Sequence, residues 1–177
     1  MLIITGTMGA GKTTVLGEAS NILALRGIAH AAIDLDALGL AHIPSAGGSD
    51  GVMYRNLKSV CENYTSLVVK RLLLARAMEH RSELELCRAA VSATNTLVCR
   101  LTASIETMEQ RVKMRESGVS QGKYVARVAK LNDILDLARL EDFTVSNDNR
   151  PLSEVAHEVL LKAGWISEGP TDNLEKL

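Results

Sequence analysis

Apolar residues follow two alternating rhythms along the chain: short unbroken runs, and stretches in which they recur every three or four positions. Leu2-Ile3-Ile4 is of the first kind and reads as a short strand buried on both faces. From Lys12 the spacing turns helical, through Val15, Leu16, Ala19, Ile22 and Leu23, and Gly27 closes it. Residues 29–33 predict a second strand, ending in Asp34-Leu35-Asp36. A helix separates the two strands, so they are expected to run parallel. Residues 38–51 contain Pro44, Gly47, Gly48 and Ser49 and predict a loop long enough to move over a substrate. Met53, Leu57, Val60, Cys61 and Tyr64 mark an amphipathic helix. A third strand is expected at 71–75, then a helix over 83–91 capped by Ser82, a fourth strand at 96–101 and a helix over 105–116. Past a break at 118–122 a further helix covers about 124–137, and 143–145 forms a fifth strand. Pro151 opens the last helix and Gly164 stops it.

Five strands alternating with helices predict an α/β fold, a doubly wound five-stranded parallel sheet with helices on both faces. The chain of 177 residues suits one domain, expected over 1–166, with a polar tail at 167–177. Twenty Lys and Arg against 21 Asp and Glu give a net charge of -1, which argues against broad attraction to nucleic acid or to a membrane surface. Cys61, Cys87 and Cys99 are odd in number and lack C-x-x-C spacing, so they read as reduced core thiols. No apolar run approaches the roughly 20 residues of a membrane span, and Gly6 cuts short the only N-terminal one. Together these place the protein in the cytoplasm, as an expectation.

The candidate chemistry lies where the first strand meets the first helix. Gly6-Thr7-Met8-Gly9-Ala10-Gly11-Lys12-Thr13 fits G-x-x-x-x-G-K-[ST] at every fixed position, between a predicted strand and a predicted helix. Glycines let successive N–H groups turn inward around a phosphate, and a helix N-terminus adds its positive end. Lys12 then reaches the β- and γ-phosphates and the Thr13 hydroxyl can ligate Mg²⁺; Thr14 follows at the helix start. The pattern predicts a P-loop that binds a nucleoside triphosphate with magnesium.

"ITGTMGAGKTT" followed by "AAIDLDAL" resembles the P-loop small-molecule kinases related to adenylylsulfate kinase, shikimate kinase, gluconate kinase and chloramphenicol phosphotransferase, over nearly the whole chain. The resemblance implies a nucleotide-kinase-like fold and transfer of the γ-phosphoryl group of ATP to a hydroxyl of a small metabolite or antibiotic. It further implies that Asp36 contacts the acceptor hydroxyl and takes its proton while Asp34 helps hold magnesium, with the two roles exchangeable. The residues themselves point the same way. Side chains alternate along a strand, so Asp34 and Asp36 can face one side if the extended conformation persists, at the carboxyl edge where open sheets bind ligands. A low pKa beside Lys12 and a metal makes a weak base, which is sufficient for a loose phosphoryl-transfer transition state. One departure is that adenylylsulfate kinases would carry G-D-N-x-R around these acids, whereas here Leu35 replaces the glycine and Ala37-Leu38 follow Asp36.

No carboxylate follows the third strand until Glu79, so the second-strand acids must serve the metal. Arg76, at that same edge, is a candidate to hold an anionic or polar part of the acceptor, with a structural ion pair as the alternative. Arg55 is a second acceptor candidate. Arg111 and Arg115, spaced i, i+4, share a helix face in a region, about 111–127, where related kinases carry a lid. Closure would bring a guanidinium to the γ-phosphate; the plainer alternative is a solvated helix pairing with Glu109 and Glu116. Asn147, just past the fifth strand, stands where related kinases contact adenine, or is simply part of a turn.

Two other functions compete. Asp36-Ala37-Leu38-Gly39 fits the D-x-x-G of nucleotide-dependent switches, but no N-K-x-D guanine motif accompanies it. A nucleoside or nucleotide kinase is the other; an aromatic content of 3% leaves little for base stacking.

Overall fold

The computed structural model describes residues 1–40, 50–67, 69–118 and 121–167. Strands β1 (Leu2–Thr5), β2 (His30–Asp34), β3 (Arg71–Ala75), β4 (Leu97–Thr102) and β5 (Phe143–Ser146) pair in parallel in the order β2-β3-β1-β4-β5. Between them, among the described residues, lie α1 (Lys12–Leu25), α2 (Leu35–Leu38), α3 (Asp50–Ser66), α4 (Arg81–Val91), α5 (Ile105–Arg115) and α6 (Gln121–Ala138), with α7 (Leu152–Lys162) last. The sheet is thus the predicted one; the central strands β1 and β3 are apolar runs because both faces are covered there, while the edge strand β5 alternates between covered and exposed residues.

Strand alternation divides the core in two. Leu2, Ile4, Leu73, Ala75, Cys99 and Leu101 pack with α1 and α7 on one face. Ile3, Leu74 and Val98 pack with α3 and α4 on the other. On α1 the buried residues are Val15, Leu16, Ala19 and Leu23, as the helical spacing requires. Ile4 pairs with Ala75, the last residue of β3, and Thr5 with Arg100, two residues before β4 ends, so the connections that follow these parallel strands gather at one edge.

Several boundaries differ from expectation, each for a local reason. The amide of Ile28 donates to Leu23 O to finish α1 (2.9 Å), so β2 begins only at His30. The cap of α4 is His80 rather than Ser82: the Glu83 carboxylate reaches back to the amides of Glu79 (2.6 Å) and His80 (3.1 Å). The helix α6 starts at Gln121, whose side-chain amide donates to Lys113 O and Glu116 O at the end of α5 (2.8 and 2.9 Å). The helix α2 was not foreseen. Most of the expected loop at 38–51 and nearly all of the tail lie outside the described residues.

Cys61, Cys87 and Cys99 are buried free thiols, and burial pushes their pKa values up to about 11, 12 and 12. No helix among the described residues is long and apolar enough to cross a membrane.

Candidate functional site

The chain leaves β1 in the middle of the sheet and turns through the glycine segment into α1. Gly9 and Gly11 hold φ of 78° and 94°, a conformation that costs other residues strain. Neither has room for a side chain: a Cβ on Gly9 would strike the Met108 backbone of α5, and one on Gly11 the Asn147 amide. Within the turn, Ala10 N donates to Thr7 O (3.2 Å) and Val15 N to Gly11 O (2.9 Å), which starts α1. Thr7 is buried and its hydroxyl donates to Val128 O of α6 (3.3 Å). Met8 packs against the core, Ala10 is buried, and Thr14 is exposed on α1.

The Lys12 ammonium lies over this turn and donates to Thr7 O (3.2 Å). Burial lowers its pKa; Asp36 and then Asp34 raise it, and the Arg115 charge lowers it further. Both acids and that arginine therefore act on the same ammonium.

The Thr13 hydroxyl donates to Asp34 Oδ2 (2.6 Å). A hydroxyl and a carboxylate are hard oxygen donors suited to Mg²⁺, which characteristically takes few protein ligands and completes its octahedron with phosphate and water. Among the described residues no group of three or more His, Cys, Asp or Glu could hold a metal by itself.

The expected alternation of Asp34 and Asp36 along one strand does not occur. β2 ends at Asp34, whose Oδ1 accepts from the Asp36 amide (3.1 Å) and caps α2. An aspartate before a buried leucine favours this N-cap over continued extension, and Leu35 is fully buried. Asp36 instead stands on the first turn of α2, with its side chain 68% exposed and within reach of an incoming molecule.

Arg76 follows β3 and pairs with Asp36 Oδ1 (3.2 Å) and Glu83 Oε1 (3.5 Å), while Met53 Sδ lies 3.0 Å from its Nη1. Glu83 was missed by sequence reasoning. It carries two backbone amides and Arg76 at once, and the H-x-x-E spacing of His80 and Glu83 was the available signal. Arg55 is exposed on α3, and its guanidinium makes no ion pair among the described residues.

The two candidate lid arginines differ. Arg111 donates to Gly9 O (3.2 Å) and to Asn147 O (2.9 Å). Arg115, 64% exposed, pairs with its neighbour Glu116 (2.9 Å), the plainer arrangement anticipated for this helix. Asn147 is buried and donates from Nδ2 to Ala10 O (2.7 Å). Arg127 of α6 pairs with Glu79 beyond β3 (2.8 Å).

The fold is that of P-loop kinases, as solved structures show. A shikimate kinase from Bacteroides thetaiotaomicron superposes with a TM-score of 0.63 at 14% identity, over 93% of this chain and 98% of that one. A sugar kinase from Janibacter sp. HTCC2649 gives 0.61 at 16% identity over 92% and 93%. An APS kinase from Mycobacterium tuberculosis, in complex with AMPPNP and APS, gives 0.55 at 21% identity over 90% and 94%. No protein-family model and no curated protein matches the chain.

Proposed function

We propose that this protein is an ATP-dependent kinase that transfers the γ-phosphoryl group to a hydroxyl of a small molecule. The observation that carries the reading is the Thr13–Asp34 contact of 2.6 Å beside Lys12, with Asp36 exposed at the same edge of the sheet. One pair suits the metal, the lysine suits the phosphates, and the remaining acid faces outward. The structurally similar APS kinase, in complex with AMPPNP and APS, supports a reading in which a nucleotide and a small second molecule share the site.

In this reading the amides of the glycine loop and the N-terminus of α1 bind the triphosphate. Lys12 exchanges its bond to Thr7 O for the β- and γ-phosphate oxygens. Thr13 and Asp34 would hold magnesium, which would supply neutralisation of charge on those oxygens. The acceptor oxygen forms a bond to Pγ as the bond from Pγ to the β–γ bridging oxygen breaks, and the acceptor proton passes to the Asp36 carboxylate. Arg76 holds Asp36 in place from behind, and with Arg55 it borders the acceptor side. Arg115 would leave its pairing with Glu116 to serve as the lid arginine that meets the γ-phosphate.

The test is ADP release from Mg-ATP with a panel of hydroxyl acceptors. Acceptor-stimulated turnover is expected in the wild type and its loss in Lys12→Ala. Asp36→Asn should retain ATP binding and lose turnover by about 10²-fold or more, the usual contribution of a positioned base. Tight ATP binding with no stimulated turnover across the panel would favour the switch reading instead.

A further inference from the structure

We propose that Asn147 and Arg111 are positioning residues that fix the outer carbonyls of the glycine loop, so that its phosphate-binding face is set before nucleotide arrives. The inference rests on the triphosphate reading above and concerns how that site is built.

A peptide unit is planar, with its carbonyl and amide on opposite sides. Anchoring a carbonyl therefore aims the amide that follows it. Asn147 Nδ2 holds Ala10 O (2.7 Å), which turns the Gly11 amide away from Asn147, at the mouth of α1 where a phosphate would sit. Arg111 Nη1 holds Gly9 O (3.2 Å), and the other end of that peptide, Ala10 N, closes on Thr7 O (3.2 Å). Thr7 O is the atom that also receives the Lys12 ammonium (3.2 Å). One clamp thus aims an amide, and the other holds the turn on which the lysine rests.

The two clamps are joined, because Arg111 Nη2 donates to Asn147 O (2.9 Å). They also account for the glycines. A side chain at position 11 would displace the Asn147 amide, and one at position 9 would push α5, which carries Arg111, off the loop. Both clamping groups come from elements distant in sequence and approach the loop from outside. Asn147 is buried with its amide donating to the loop, an arrangement that serves the backbone rather than an adenine ring. A loop fixed in this way binds phosphate without a reorganisation cost.

Two probes separate the roles. Calorimetry would measure Mg-ATP and inorganic tripolyphosphate with Mg²⁺ on wild type, Asn147→Ala and Arg111→Lys, at temperatures where each variant is folded. Loss of a neutral hydrogen bond that orders the site should weaken both ligands in parallel, roughly tenfold for Asn147→Ala. Arg111→Lys keeps the charge but cannot span two carbonyls, so a parallel loss is expected there too, and this variant carries the test if Asn147→Ala does not fold. Weakened ATP with unchanged tripolyphosphate would make these residues base contacts and overturn the proposal. Unchanged affinity for both ligands, with only a lower melting midpoint, would overturn it as well. Wild type that binds neither ligand would instead overturn the triphosphate reading, and the clamp with it.

Discussion

The charge on Lys12 is held where the folded chain disfavours it. Burial is the largest influence and lowers the pKa; the two aspartates offset it in part, and Arg115 deepens it. The unfolded chain, with a lysine pKa of about 10.4, therefore binds this proton more tightly than the folded chain does. Below the folded pKa the whole penalty is present. Between the folded and unfolded values the unfolded state holds more protons, so stability rises with pH across that window, and above both the penalty is gone. Lys12→Met keeps the stem and removes the charge. It should raise the melting midpoint of the ligand-free chain at neutral pH, with a gain over wild type that shrinks as pH rises towards about 10.4 and is gone above it. Scanning calorimetry of both proteins across that range measures it. A lower midpoint for the variant would mean that the bond to Thr7 O outweighs the desolvation. The grouping of Lys12 and Thr13 with the glycine turn was legible in the sequence because that segment is continuous along the chain. Arg111 and Asn147 were assigned other partners, since their contacts with the loop span 102 and 137 residues and no local spacing encodes them.

Between elements, the turn after β5 is fastened to the start of α5 by one carboxylate. Asp148 Oδ2 accepts from Ser104 N (3.1 Å), and Ser104 itself caps α5 through Thr107 N (3.3 Å). Hydrogen bonding from the Thr107 hydroxyl, then from the Ser104 amide, pulls the Asp148 pKa below its usual value. Its contribution is complete above the unfolded pKa of about 3.9 and is lost as pH falls through the folded value. Asp148→Asn should accordingly lower the midpoint above about pH 5, and its deficit against wild type should fade as the solution is acidified below pH 4. A deficit that stays constant down to pH 2 would remove the carboxylate's charge from the account. The parallel sheet itself was readable, because strands buried on both faces write themselves as apolar runs and helices as a period of 3.6. Where β2 stops was not. Strand alternation and an N-cap compete for Asp34, and the buried Leu35 decides for the cap, which moves Asp36 from a strand face to a helix turn. His80 displaced Ser82 as a cap for a comparable reason, since Glu83 reached further back than the shorter spacing suggested.

For the molecule as a whole, the site draws on groups that meet only in the folded state: the β1–α1 loop, the end of β2, the α5 helix and the turn after β5. A ligand that needs all of them binds the native chain and not the unfolded one, so under the proposed function Mg-ATP should stabilise the fold by mass action. At a hundred times its Kd that amounts to about 2.7 kcal/mol. For a chain of this length, each kcal/mol moves the midpoint by about 2–4 °C, so a rise of about 5–10 °C is expected in thermal melts. Chelating Mg²⁺ should remove much of that rise, because Asp34 and Asp36 would then face the triphosphate with no cation between like charges. Lys12→Met should show the opposite profile from wild type, with a higher midpoint alone and little shift on adding Mg-ATP, since the group that costs the empty fold is the one proposed to hold the phosphates. Were that variant to shift as far as wild type, the lysine would be structural and the triphosphate would have to bind elsewhere.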